Sequence, residues 1–202
     1  MVFNTSSKYN FRPELSFPGH EPLDVIDVSR LLGVMISSDL TWTSHVKDIT
    51  TRAVKKLWVL IRFKNLGASR KQLVQVYQAR IRRTLENSAP VYSSGLTQEQ
   101  KRLIEMVQKK AFVIILGKDY VSYENALTIL DLKRLDTRRD DICLNFAKKC
   151  ILSEKHNSMF PKNPNVRPDS RHPKWFLEPW CSTSRYFHSA IPSLTRLLNQ
   201  NL

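Results

Sequence analysis

Residues 42–67 read WTSHVKDITTRAVKKLWVLIRFKNLG, and this stretch determines the fold class that the sequence predicts. Its apolar residues recur at steps of three and four, which is the pattern of a helix that buries one face. Gly67 ends the pattern, as glycine commonly does just beyond a helix C-terminus. The stretch therefore predicts a long amphipathic helix. Its apolar stripe consists of Trp42, Val46, Ile49, Ala53, Leu57 and Leu60.

Most of the positive charge of the chain falls on this helix and just after it. Residues 47–83 contain 11 basic residues and only one acidic residue, Asp48, so they carry +10 of the +14 net charge of the 202 residues. A basic excess of this size points to phosphate-bearing partners or to an anionic membrane surface.

Part of this charge forms a candidate nucleic-acid-binding face. On a helical wheel, four cations lie largely opposite the apolar stripe, and a tryptophan lies among them: Lys47, Arg52, Lys55, Arg62 and Trp58. An aromatic ring among cations suits a surface that follows a nucleic-acid backbone and stacks on a base or sugar. The alternative is a solvated basic face, with Trp58 packed on another domain. The predicted binding set is completed by Lys71, Arg82 and Arg83.

Further helices are predicted after Gly67. Capping boxes at Ser69–Gln72 and Thr97–Gln100 start the second and third helices, which end near Pro90 and Gly117. The predicted inner faces are Leu73, Val76, Tyr77 and Ile81 for the second helix, and Leu103, Val107, Ala111 and Ile114 for the third. A short turn is expected near Tyr123–Leu130, followed by a last long helix over about Leu135–Leu152.

The two ends of the chain have a different composition. Leu15–Phe17, Leu23–Ile26 and Leu31–Ile36 predict a small antiparallel sheet of two or three strands. Six of the ten prolines lie between Pro161 and Pro192, which predicts an irregular basic tail whose aromatic residues dock in places. The expected architecture is mainly α: a β-hairpin region over 1–40, a helical bundle over 41–156 and a Pro-rich tail over 157–202.

The sequence offers little to catalysis. Asp140 and Asp141 are the only Asp-Asp pair, and adjacent positions on a helix diverge by about 100° instead of converging on one metal ion. There is no Gly-x-Ser-x-Gly motif, and the five glycines form no phosphate-binding loop. We therefore expect no catalytic residues and no cofactor.

Metal and membrane binding are also not expected. The spacing of His156, His172, Cys181 and His188 matches no zinc pattern, and Cys143 and Cys150 fit one helix face with Phe146 as small core residues. Three cysteines favour a reduced, intracellular setting, and Met1–Asn10 has no apolar segment typical of a secretory signal. No apolar run is long enough to span a membrane, and the amphipathic stripes are used by a core.

An ordered series of short motifs runs over nearly the whole chain. The series consists of Leu31-Leu32-Gly33-Val34-Met35-Ile36, Asp39-Leu40-Thr41-Trp42 with His45, Leu66-Gly67-Ala68-Ser69, Val76-Tyr77, Leu85-Glu86, Ala89-Pro90-Val91, Ser94-Gly95-Leu96-Thr97, Ile104-Glu105 with Val107-Gln108-Lys109, Ile114-Ile115-Leu116-Gly117, Tyr120, Ser122-Tyr123, Arg185-Tyr186 and Leu197-Leu198-Asn199. In this order the motifs resemble the reverse transcriptases of non-LTR (LINE-type) retrotransposons of the Jockey-like kind. Asn87 and Tyr92 depart from this resemblance, since such sequences often carry Tyr and Trp there.

The resemblance implies a region that follows the catalytic palm. The Leu-Gly-Val run would match the primer-grip hairpin, and the helices would match the thumb, which lies along the template–primer duplex. The palm aspartates belong upstream, so this chain would be a non-catalytic part of an RNA-directed DNA polymerase, with the palm as a partner. We expect a protein that binds a nucleic-acid duplex with little sequence preference. The alternative is a helical remnant that only packs against protein.

Overall fold

The computed structural model describes residues 24–167 and 173–201, together with residues 16, 18, 19, 21 and 171. It shows a mainly α-helical protein with a small antiparallel hairpin, which confirms the predicted fold class. The strands are β1 (Val28–Leu31) and β2 (Val34–Ser37), and the helices are α1 (Thr43–Asn65), α2 (Arg70–Val76), α3 (Arg83–Glu86), α4 (Ala89–Tyr92), α5 (Gln98–Leu116), α6 (Tyr123–Leu130), α7 (Leu135–Leu152), α8 (Ser184–Phe187) and α9 (Ala190–Gln200).

The hairpin corrects the predicted strands. Leu31–Ile36 is not one strand, because Leu32 and Gly33 both have positive φ and reverse the chain between β1 and β2. Positive φ at both central residues is what a tight two-residue hairpin turn requires. Residues 24–26 are not in a strand, whereas Leu23 and most of the strand predicted at Leu15–Phe17 lie outside the described residues.

The main core forms around α1. The predicted stripe is buried at Val46, Ile49, Ala53, Leu57 and Leu60, whereas Trp42 is only partly buried. This face packs on α5 and on the helical segment over residues 70–86. Both capping boxes form as predicted. The inner face of α5 includes the predicted Val107 and Ala111, leaves Ile114 partly buried and is wider than predicted, because α5 packs on α6 and α7 as well as on α1. Leu103 is exposed, and the buried residues of α5 are Ile104, Val107, Gln108, Ala111, Phe112, Ile115 and Leu116.

A π-helical turn over Tyr77–Arg82 joins α2 to α3. Leu73, Tyr77, Ile81 and Leu85 are all buried, and they are spaced by exactly four residues. In a regular α-helix, each step of four would rotate the side chain by about 40°, so the last residue would leave the buried face. The wider π turn takes up this excess rotation and keeps all four residues in the core.

Buried polar groups tie the π turn, α5, α6 and the loop after α6 together at the centre of the bundle. The Tyr77 hydroxyl donates to Oε1 of Gln108 at 2.6 Å. The Gln108 amide donates to the Tyr123 hydroxyl at 3.0 Å and to the Lys133 carbonyl at 3.1 Å, and Tyr123 donates to the Glu105 carboxylate. Because an unpaired buried polar group is costly, this network fixes how α5, α6 and the π turn meet.

The end of the chain is more regular than predicted. Residues 157–183 contain little regular structure in their described part, but α9 is an 11-residue helix that packs on α7. Leu194 and Leu198, four residues apart, are the apolar pair that buries this helix. The second core cluster consists of Cys143, Ala147, Cys150, Phe160, Phe176, Leu194 and Leu198.

The second core cluster tests the predictions that Cys143 and Cys150 are core residues and that aromatic residues of the tail are docked. Cys143 and Cys150 are core residues, as expected, but Phe146 is exposed and does not share their face. Among the aromatic residues of the tail, Phe176 is docked: its backbone N–H donates to Oδ1 of Asn199 at 2.9 Å, and the amide of Asn199 donates back to its carbonyl at 3.0 Å. Trp180, in contrast, is 84% exposed.

Candidate nucleic-acid interface

Four of the predicted binding residues share the outer face of α1. These residues, Lys47, Lys55, Trp58 and Arg62, are all exposed and lie on the side of the helix away from the buried stripe. Trp58 is 62% exposed. The guanidinium carbon of Arg62 lies 5.2 Å from the centroid of the Trp58 ring, which is the geometry of a cation–π contact. The wheel drawn from the sequence is therefore correctly oriented for this helix.

The charges of this outer face are not neutralised by neighbours. Across residues 24–167 and 173–201, no carboxylate lies within ion-pair distance of Lys47, Lys55 or Arg62. A cation that already has a carboxylate partner must lose that contact before it can bind a phosphate. The three outer-face cations carry no such cost.

Arg52, also in the predicted set, lies in a different electrostatic setting. Its guanidinium donates to the Asp48 carboxylate at 2.7 Å, and Arg30 of β1 donates to the same group at 2.8 Å. Burial would raise the pKa of Asp48, but hydrogen bonds from Arg52 and Arg30 outweigh it and hold this pKa below its ordinary value. The shared carboxylate links the hairpin to α1. We therefore assign Arg52 a mainly structural role.

Lys71 and Arg82, also in the predicted set, do not lie on the outer face of α1. Lys71 is exposed on the side of α2 that borders Ile129 and Leu130 of α6. Arg82 is largely buried 3.8 Å from Glu86, a carboxylate that also accepts two hydrogen bonds from Arg138. Burial, followed by the nearby charge of Arg138, lowers the pKa of Arg82. These residues are close to α1 in the sequence. In the fold, however, Lys71 borders α6, and Arg82 lies beside Arg138 of α7.

A groove between α1 and α2 supplies cations that the predicted set missed. We call it the α1–α2 groove; it is lined by Lys56, Val59, Phe63, Leu66, Gly67, Ala68, Gln72, Gln75, Val76, Ala79 and Arg80. The Lys56 ammonium donates to Oγ1 of Thr84 at 2.7 Å. Arg83, from the predicted set, is exposed one turn after Arg80. The sequence places Lys56 and Arg80 in the basic stretch over residues 47–83. That both line one groove depends on how α1 packs against the segment after Gly67, which the sequence does not show.

Asp140 and Asp141, the adjacent acidic pair, lie near different lysines. Asp141 accepts from the Lys133 ammonium at 2.9 Å, whereas burial raises the pKa of Asp140 and the charge of Lys101 on α5 opposes that effect only in part. In the described ranges, no three His, Cys, Asp or Glu side chains are close enough to share a metal ion. His172, one of the metal-capable residues, lies outside those ranges. None of the helices described is both long and apolar enough to cross a membrane.

Together these features define a mainly α-helical protein whose longest helix presents a basic and aromatic face to solvent. No protein-family model, curated protein or solved structure matches the chain. Its function is therefore inferred from its own residues.

Proposed function

We propose that this protein binds the backbone of a nucleic-acid duplex through the outer face of α1, with little preference for sequence. In this proposal it is a non-catalytic part of a reverse transcriptase of the non-LTR type, and an upstream palm domain is its natural neighbour. The resemblance seen in the sequence suggests this setting, and the outer face supports the binding role independently of it.

The observation that carries the proposal is the exposed group formed by Lys55, Trp58 and Arg62. The three residues are spaced by three and four positions, so they are neighbours on the helix surface. Two charges without ion-pair partners in the described part of the chain flank an aromatic ring that water reaches over most of its surface. Phosphates are the partners that such cations bind without a requirement for particular bases.

Changing Lys55 and Arg62 together to alanine is the direct test. Wild type is expected to bind a duplex with a log–log salt slope of roughly −4 to −5 if about 4–6 phosphates are neutralised. The double variant should lose about two units of slope, which corresponds to a loss in affinity on the order of 50-fold near 0.1 M salt. Stability should change by no more than about 0.5 kcal/mol, because both side chains are exposed. Fluorescence anisotropy over a salt series measures the binding.

A control of equal charge is available on α5. Lys109 and Lys110 are both exposed, on a helix whose other side packs on α1. Changing these two lysines to alanine removes the same charge from another surface, so the salt slope should change much less. If the Lys55/Arg62 variant binds with wild-type affinity and an unchanged slope, the basic face is only solvated and the proposal is wrong.

A second candidate function is supported by the apolar side chains beside the outer face. Val54 and Ile61 are 41% and 42% exposed and flank Trp58 at steps of four and three. A face of this kind is also what a helix presents when it packs on another protein. In that case Trp58 would be an anchor residue of a protein–protein interface, and the affinity for the protein partner would depend little on salt concentration. An unchanged salt slope in the Lys55/Arg62 variant would favour this candidate.

The proposal includes the absence of polymerase activity from this chain. Metal-dependent phosphoryl transfer needs carboxylates that converge on the ions. We expect primer extension in magnesium or manganese to equal the background without protein. Extension that disappears when Asp140 and Asp141 are changed to alanine would show instead that the pair is catalytic.

A further inference from the structure

The outer face of α1 continues into the α1–α2 groove without a break. Lys55, Trp58 and Arg62 are each followed in sequence by a residue on the groove side: Lys56, Val59 and Phe63. Consecutive helix residues are separated by about 100°, so the groove wall lies one stripe further around the same helix. The two surfaces form one area.

This continuous area has more apolar surface than contact with duplex phosphates requires. Trp58 is 62% exposed, Phe63 is 44% exposed, and Leu66 at the end of the groove is 82% exposed. In a Watson–Crick duplex the flat faces of the bases are stacked on one another inside the helix. An exposed aromatic surface can therefore stack on unpaired bases anywhere along a strand, but on a duplex only at its terminal base pairs.

The charges around the groove match the same ligand. Lys56 and Arg80 lie on opposite walls of the groove, Arg83 follows Arg80, and no carboxylate is among the described residues that line it. The nearby Asp48 carboxylate is already held by Arg30 and Arg52. A cationic rim around apolar walls is complementary to a strand that has phosphates on one side and exposed bases on the other.

We propose that this area binds single-stranded nucleic acid, with a base stacked on Trp58, neighbouring bases against Val59 and Phe63 in the groove, and phosphates on Lys55, Arg62, Lys56 and Arg80. This inference rests on the proposed function and names its ligand more closely: unpaired nucleotides, alone or next to a duplex, are preferred to a blunt duplex. The preference comes from stacking and so tolerates any sequence.

Three DNA probes measure the preference: an oligothymidylate of about 16 nucleotides, a blunt duplex, and the same duplex with an unpaired extension. Wild type should bind the first and third more tightly than the second. Trp58→Ala should weaken binding to both probes with unpaired nucleotides by between about 5- and 150-fold, as expected for the loss of one stacked base. The loss of affinity for the blunt duplex should be smaller than for either of these probes, because its phosphates are held by Lys55 and Arg62 and its paired bases do not stack on Trp58.

An isosteric variant tests the groove separately from Trp58. Gln75 is exposed and lines the groove, so Gln75→Glu places one negative charge there without a change of shape. We expect about a fivefold loss of oligothymidylate affinity near 0.1 M salt. Asn145→Asp, on the exposed side of α7, is the matched control and should have no effect.

The outcomes separate the two proposals. If wild type binds the blunt duplex as tightly as the other probes, and Trp58→Ala and Gln75→Glu change nothing, the single-strand inference is wrong while the proposed function stands. If none of the probes binds in a salt-dependent way, both are wrong, and a protein partner becomes the better occupant of the face. A Trp58→Ala variant that is unfolded would contradict the exposure on which the inference depends, and Gln75→Glu would still report on the groove.

Discussion

Raising the pH above about 10 is expected to destabilise the protein steeply. Burial raises the pKa of Tyr77 and of Tyr92 above the ordinary tyrosine value, and both side chains are fully buried. Each hydroxyl also donates a hydrogen bond, Tyr77 to Gln108 and Tyr92 to the Leu85 carbonyl, and this donation needs the proton. Folding therefore favours the neutral phenols.

The direction of the pH dependence follows from proton binding. Below pH 10 both tyrosines are neutral in the folded and unfolded chains, so their full contribution to stability is present. Above it, the unfolded chain loses protons that the folded chain retains, and unfolding becomes more favourable. Burial also raises the pKa of Tyr123, and three such groups lower the free energy of unfolding by about 4 kcal/mol per pH unit once the unfolded chain is ionised. The buried thiol of Cys143, whose pKa burial raises to about 11, acts in the same direction from a lower pH.

Urea unfolding at a series of pH values and constant ionic strength measures this slope. Tyr92→Phe removes one titrating group, so its slope should be shallower by about 1.4 kcal/mol per pH unit. The matched control is Tyr186→Phe, because the side chain of Tyr186 is 45% exposed, and its slope should equal that of wild type. A free energy of unfolding that stays flat from about pH 9 to 11 would mean that Tyr77 and Tyr92 are accessible to water.

Leu60→Ala is expected to cost about 2–5 kcal/mol of stability, whereas Trp58→Ala two positions away should change it by no more than about 0.5 kcal/mol. Leu60 is fully buried between α1 and its neighbours, so its truncation leaves a cavity. Trp58 loses a larger side chain, but that side chain faces water. The order of the two effects is thus the reverse of the order of side-chain size.

Thermal or urea unfolding of the two variants provides the measurement, and nucleic-acid binding should show the opposite order. Leu60→Ala should retain the salt slope of wild type at temperatures where it stays folded, because no outer-face side chain is removed. Should Trp58→Ala prove the more destabilised variant, the orientation of α1 would be wrong by about half a turn, and the outer face with it.

The sequence predicts best where local signals are sufficient. The periodicity of α1 orients its outer face, because both depend only on positions along one helix. Capping boxes place the starts of α2 and α5 correctly for the same reason. In Leu31–Ile36 the β-branched and aliphatic residues predict one strand, whereas Leu32 and Gly33 form the turn between β1 and β2.

The remainder of the candidate site depends on contacts between distant segments. Nothing near Arg52 or Arg82 in the sequence shows that Asp48 must also hold the hairpin, or that Arg138 arrives beside Glu86. The approach of Lys56 and Arg80 across the groove likewise needs the turn at Gly67 and the packing of two helices. Similarly, the sequence does not predict α9, because Pro192 and the polar residues around it conceal a short apolar face that is buried against α7.

The π-helical turn at Tyr77–Arg82 allows the number of residues in this segment to vary by one. One residue more or less within the turn switches it between the wide and the regular helical form, so a single-residue deletion there can be absorbed without breaking the helix. The loss of one residue and the loss of the wide turn would offset each other, so the side chains after the turn would keep their orientation relative to α2. Arg83 would stay on the groove side and Leu85 would stay in the core. The turn thus acts as an adjustment point at which this one segment can lose a residue while the groove rim, the core and the outer face of α1 are preserved.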